Sequence, residues 1–181
     1  LYLKSGSKEQ NILAKQGDDL RIDWGYFYMV AGKENTAYSV GNSTELRKNF
    51  VNGTLNSASL EGEDSNGNMA LVRSHGKVKN VTDKIMLGYD DIYSIQYFGT
   101  NLRPYWNSKG DRTIEAEMLA AYNEYDKLLA RCYAFDKKLM EDASAAGGKE
   151  YAELCALAYR QSIAAHKLVE APNGDLLWLS K

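Results

Sequence analysis

The feature that most constrains the fold is a change of hydrophobic period partway along the chain. Over 18–31 the residues alternate. Leu20, Ile22, Trp24, Tyr26, Tyr28 and Val30 share one face, and Arg21, Asp23, Gly25, Phe27 and Met29 share the other. A period of two, rich in aromatic and β-branched side chains, predicts a strand. Beyond Trp106 the apolar residues step by three and four: Ile114, Met118, Tyr122, Tyr125, Leu129, Cys132, Phe135, Leu139 and Ala143. That spacing predicts one face of a long helix over 113–146. Asp111 or Thr113 can cap its start, and Glu115 and Glu117 suit the positive end of its dipole. Gly147-Gly148 breaks the pattern where a helix end favours a left-handed residue.

A second helix is predicted over 149–170. Tyr151, Leu154, Cys155, Ala158, Tyr159, Ser162, Ala165, His166 and Val169 form its main face, and Leu157, Ile163 and Leu168 extend the apolar surface round the other side. A helix apolar nearly all round is expected to be buried on more than one side. Pro172-Asn173-Gly174 then predicts a turn, and 176–179 a strand. Residues 32–68 are polar and rich in turn signals, with a short strand around 37–40. Further strand candidates lie at 69–73, 84–89 and 92–98. The order predicts an α+β chain in two parts. Residues 1–106 form a β-rich region. Residues 107–181 form a long antiparallel helical hairpin with a terminal strand.

Composition removes several functions. The 181 residues carry 22 Lys and Arg against 24 Asp and Glu, for a net charge of −2. Nucleic-acid or anionic-membrane binding driven by charge needs a basic excess, so neither partner is expected. No run approaches the roughly 18 apolar residues of a membrane-spanning helix. The chain has no initiating Met and no signal sequence, and it ends just after the apolar run Leu176-Leu177-Trp178-Leu179. It reads as a piece of a longer protein, with the rest of that parent chain as its partner. Cys132 and Cys155 fall about 15 residues before and 8 after the Gly147 turn. The offset of about 7 residues is about 10 Å along a helix, too far for a disulfide. Two free, buried thiols are expected. Glycosylation sequons occur at Asn42, Asn52 and Asn80, and matter only in a eukaryotic secretory host.

The densest polar and aromatic segment is 87–106. It holds Tyr89, the adjacent carboxylates Asp90 and Asp91, then Arg103, Tyr105 and Trp106. A carboxylate beside aromatic walls can act as a general acid, because desolvation disfavours its charged form. In a strand Asp90 and Asp91 point to opposite faces, so at most one serves a given pocket. The alternative is that the pair caps a turn and the tyrosines are core. Arg103, next to aromatics, can hold a carboxylate or a sugar. Its alternative is an interface ion pair with Asp23 or Asp91. Arg21 and Asp23 can pair on the strand face. Arg160 and Gln161 can face a pocket at the end of the hairpin. His166 reads as a core histidine. Two distant histidines, His75 and His166, with no close Cys–His spacing argue against structural zinc, and no glycine-rich phosphate loop is present. No metal or organic cofactor is expected. Ser5 to Lys8 and Ser74 to Lys77 match Ser-x-x-Lys but lie off the predicted helices, and no Gly-x-Ser-x-Gly elbow occurs.

Several of these segments resemble the glutaminase A family of large secreted bacterial and fungal proteins. They are Gly-Asp-Asp-Leu-Arg-Ile-Asp-Trp-Gly-Tyr at 17–26, the stretch 88–106, Phe135-Asp136 with Glu141-Asp142-Ala143, and 157–161 through 165–168. The resemblance implies the end of an N-terminal β-sandwich and its linking strands, followed by the first hairpin of an (α/α)6-like toroid. It implies secreted or periplasmic location and hydrolysis of L-glutamine to glutamate and ammonia. The resemblance brings no catalytic set that transfers residue by residue. On the chemistry of the residues, Asp90 or Asp91 is the expected acid/base. Arg103 is expected to grip the substrate carboxylate, with Tyr89, Tyr105, Trp106, Arg160 and Gln161 around it. The toroid is shared with glycoside hydrolases, where two carboxylates do the work, so a glycan is the alternative substrate. A non-catalytic scaffold or glycan-binding module is the third reading. An exposed Trp24, Trp106 or Trp178 would favour sugar binding, and buried ones a scaffold.

Overall fold

The computed structural model describes residues 1–14, 24–55 and 67–180. It falls into two compact units, Leu1–Lys8 with Tyr26–Asp90, and Glu9–Gly25 with Asp91–Lys181. The architecture is mixed α and β, with several small antiparallel sheets and one long helical segment.

The first unit contains β1 (Tyr2–Gly6), β2 (Tyr26–Val30), β3 (Thr36–Asn42), α1 (Ser43–Val51), β4 (Gly67–Arg73) and β5 (Met86–Asp90). Strands β1, β2 and β5 form an antiparallel sheet with β2 in the middle. The run Tyr-Phe-Tyr-Met-Val suits a central strand, because aromatic and branched side chains fill a pleated surface well. Tyr28 is almost fully buried and meets the Tyr2 ring at 5.8 Å, while the Lys4 ammonium sits 4.0 Å over the Tyr26 ring. Strands β3 and β4 form a second pair, with α1 packed on it through the buried Leu46.

The sequence reading missed α1. Its signal is present: the Asn42 side chain accepts from the Thr44 amide at 2.9 Å, and Glu45 lies in the first turn. Asn-Ser-Thr-Glu is a variant of the capping pattern, hidden in a stretch that otherwise reads as loop. The strand expected over 18–31 is shorter than predicted. Residues 18–23, with Leu20, Arg21, Ile22 and Asp23, lie outside the described residues. Trp24 and Gly25 form a bend, because Gly25 takes φ 84°, and β2 begins only at Tyr26.

The second unit begins with a tight hairpin of β6 (Ile95–Tyr97) and β7 (Thr100–Leu102). Phe98 and Gly99 both have positive φ, 45° and 82°, as a two-residue hairpin turn requires. The predicted strand over 92–98 is cut to three residues because Ile92 also has positive φ, 59°. A 3₁₀ turn (Tyr105–Asn107) leads to α2 (Ile114–Asn123). Thr113 caps α2, its hydroxyl accepting from the Ala116 amide at 3.3 Å. Next comes α3 (Tyr125–Ala165), separated from α2 by the non-helical Glu124 and broken inside at Gly148 (φ 81°, ψ −175°).

The Phe135 and Tyr159 rings meet at 5.1 Å. Along a straight helix those residues would be about 36 Å apart, so the chain reverses at Gly148 into an antiparallel hairpin. Ala143 and Ala152, both buried, flank the bend. The second helix does not reach 170 as predicted. It stops at Ala165, and the next five residues form β8 (His166–Glu170), paired antiparallel with β9 (Leu176–Ser180). Tertiary pairing overrides helical spacing here. Val169 is fully buried and bridges to Pro104, which a helical continuation would not allow.

Two burial expectations are corrected. Leu154, Leu157 and Ile163 on the second arm are exposed within this chain, so it is not enclosed on two sides by the described residues. The cysteines are free, but Cys132 is exposed and Cys155 half-buried rather than core, because the hairpin's outer surfaces have no layer over them among the described residues.

Candidate functional site

The polar centre of the second unit is Asp91, only 3% exposed. Its Oδ2 accepts from the Ser94 hydroxyl at 2.9 Å and lies 3.2 Å from the Lys167 ammonium. Its backbone carbonyl accepts from the indole N–H of Trp24 at 2.7 Å, and the same indole lies 3.2 Å from the Tyr93 carbonyl. Ser94, fully buried, ties its amide to the Leu102 carbonyl at 2.9 Å. Thus Trp24, the turn at 91–94, β7 and β8 meet at one carboxylate. Burying a charge is costly unless a counter-charge and hydrogen bonds come with it, and both are present here.

Of the predicted site residues, Asp91 therefore joins the 91–94 turn to β8, with Lys167 rather than Arg103 as its ion-pair partner. Asp90 and Tyr89 end β5 in the first unit, with Asp90 half-buried and Tyr89 exposed. Arg103 pairs with no carboxylate among the described residues. Its guanidinium lies 4.7 Å over the Tyr93 ring, with Nη2 3.5 Å from the Tyr93 hydroxyl. Gly110, at φ 71°, leaves room for it; a Cβ there would stand 3.2 Å from Arg103 Nε. Tyr105 is exposed and Trp106 half-buried, both in the 3₁₀ turn. Arg160 and Gln161 are exposed on α3. Among the described residues no hydrogen bond or ion pair joins Asp91, Arg103 and the Arg160–Gln161 pair to one another.

Sequence reasoning missed Lys167 and Ser94 as partners of Asp91, because 166–170 was read as helix. Alternation was the available signal. Lys167 and Val169 face inward, and His166, Leu168 and Glu170 face the other way. On that outer face the His166 and Trp178 rings lie parallel, 2° apart in plane, at 5.8 Å. His166 Nδ1 sits 2.6 Å from the Ser162 carbonyl, so the proton is on Nδ1. His166 is a half-buried strand residue at the end of α3, not the core histidine expected. Glu170 is bound by Lys109 at 2.5 Å, and this bond, with a further one from Ser108, holds its carboxyl below the usual range. Of the three tryptophans Trp24 is buried, Trp106 half-buried and Trp178 46% exposed.

The first unit holds a second polar cluster. Asp83 receives Arg73 Nε at 2.7 Å and Nη2 at 3.2 Å, and His75 Nε2 lies 3.2 Å away. The Arg73 bond, then the Lys84 amide, hold the Asp83 carboxyl below its usual range. Arg73 Nη1 also reaches the carbonyls of Gly32 and Glu34. Among the described residues no group of three His, Cys, Asp or Glu side chains is placed to hold a metal ion. No helix among them is long and apolar enough to cross a membrane.

These elements define a two-unit α+β domain with a structural ion pair at the core of its helical unit. A family model, the Domain of unknown function (DUF5127), matches residues 1–142, and the chain belongs to that family. No curated protein matches the chain. No solved structure matches it.

Proposed function

We propose that this chain is the scaffold portion of a secreted or periplasmic hydrolase of the glutaminase A type, acting on L-glutamine in the parent protein. In this reading residues 1–106 supply the end of a β-sandwich with its linking strands, and residues 107–181 begin a helical toroid. The observation that carries the scaffold role is the state of Asp91. The candidate acid/base is buried, and one of its oxygens already receives both Ser94 and Lys167. A general acid or base must reach the substrate proton. This carboxylate instead fixes β8 to the turn before β6. The apolar side chains exposed on α3, Leu154, Leu157 and Ile163, suit cover by further helices of the parent. The glutamine specificity rests on the resemblance of 17–26 and 88–106 to that family.

The test compares ammonia release from L-glutamine by the full-length parent with that of its Asp91→Asn variant, alongside thermal unfolding. The expected result is a lowered melting temperature with kcat per folded molecule retained. Loss of kcat at unchanged melting temperature would return Asp91 to catalysis. Absence of ammonia release by the wild-type parent would remove the glutaminase reading.

A further inference from the structure

The outer face of the β8–β9 hairpin carries a built arrangement that the scaffold role does not use. Cross-strand pairs along it are Glu170 with Leu176, Leu168 with Trp178, and His166 with Ser180. The inner face is committed elsewhere: Val169 is fully buried and Lys167 holds Asp91. On the outer face Trp178 is 46% exposed at the centre, and its indole N–H makes no hydrogen bond among the described residues. The ring lies parallel to that of His166. His166 is itself fixed, because Nδ1 must donate to the Ser162 carbonyl at the end of α3. That leaves Nε2 as an acceptor in the neutral ring. At the other end Glu170 is oriented by Lys109.

We propose that the His166–Trp178 face of this hairpin binds a pyranose sugar unit, stacked on the side of the Trp178 indole turned away from His166, with its hydroxyls toward Glu170. A pyranose has an apolar C–H face and a polar hydroxyl rim. It therefore matches a flat aromatic ring flanked by a carboxylate, and the electron-rich ring face attracts polarised C–H groups. Glu170 stands two residues beyond Leu168, the cross-strand partner of Trp178, about 7 Å along β8 and within the span of one pyranose with its hydroxyls. A purely apolar docking face would not place an oriented carboxylate beside the open side of the ring. Both rings are held by the hairpin and by α3, so little side-chain freedom is lost on binding. This goes beyond the glutaminase reading and does not depend on which bond the parent cleaves.

The experiment is a ¹H–¹⁵N titration of the 181-residue chain with cellohexaose and, separately, maltohexaose, following the three indole resonances assigned by single Trp→Phe substitutions. The expected result is a saturable shift of the Trp178 indole with at least one hexasaccharide, while the buried Trp24 indole stays fixed. Trp178→Ala should weaken binding about tenfold, as followed by backbone amides of 166–170. Glu170→Gln should weaken it by less. Circular dichroism confirms that each variant folds. An unmoved Trp178 indole with both sugars overturns the proposal. So does a folded Trp178→Ala chain that binds as wild type.

Discussion

The Lys167 ammonium reaches Asp91 Oδ2 at 3.2 Å across 75 residues of intervening chain, and Ser94 Oγ donates to the same oxygen. The pair joins the turn that opens the second unit to the strand that closes its helical hairpin. Lys167→Met leaves a buried carboxylate without its counter-charge. Such losses cost about 3–5 kcal/mol, and the lower end applies because the Lys167 side chain is 39% exposed and water can enter. Asp91→Asn should cost less, about 1–3 kcal/mol, since the amide still accepts from Ser94. The double variant should cost less than the sum. Urea unfolding of the four proteins measures this, and strict additivity would show that the two groups do not interact.

Gly148 makes the helical reversal. Its φ of 81° with ψ of −175° lies where only glycine is at ease. Gly148→Ala should destabilise the chain by about 1–3 kcal/mol, although open space surrounds the missing Cβ. The cost is thus in the backbone rather than in packing. At Gly147 the opposite holds: a Cβ would stand 2.6 Å from Tyr151 Cγ, so that ring must move. A denaturation midpoint for Gly148→Ala equal to wild type would contradict the assignment.

Much of the second unit was legible in its periodicity. The α2 start at Thr113 and the break at Gly147-Gly148 carry local signals that no tertiary contact overrides. The last strand at 176–180 was legible from its apolar run and the Pro172-Asn173-Gly174 turn. The second helix was read five residues too long because Leu168 and Val169 satisfy both helical spacing and strand alternation. Only pairing with β9 decides between them, and that is non-local information. The Asp91 site was half visible. The residue was singled out, but its partner Lys167 is set by the same non-local pairing. In the first unit β1 went unread, since Tyr2–Gly6 is short and polar, and its strand character comes from lying against β2.

The thiols should differ in reactivity. Cys132 is exposed, whereas Cys155 is half-buried beside Tyr151, whose phenol it pushes up. Titration with a chromogenic disulfide should show one fast and one slow thiol. Cys132→Ser should remove the fast phase. Equal rates, or a bridged chain before reduction, would contradict this arrangement, because access to the reagent governs the rate once thiolate is available.

Two carboxylates should make the fold sensitive to acid. Arg73 holds Asp83 low, and Lys109 holds Glu170 low. Each is more acidic in the folded chain than in the unfolded one, so at low pH the unfolded state binds more protons. The stabilisation is complete above the unfolded values of about 3.9 for Asp and 4.3 for Glu, and is lost as pH falls through the lower folded values. His75, 3.2 Å from Asp83, adds a positive charge when protonated and works in the same direction on Asp83. The melting temperature of wild type should therefore fall as pH drops below about 4. In Asp83→Asn and Glu170→Gln that fall should be shallower, most of all in the double variant, with the curves converging at the acid end. Both carboxylates are solvent-reached, so high salt should flatten the wild-type curve as well. If the double variant lost stability as steeply as wild type over that range, the acid sensitivity would belong to other groups, and these two ion pairs would be surface contacts without thermodynamic weight.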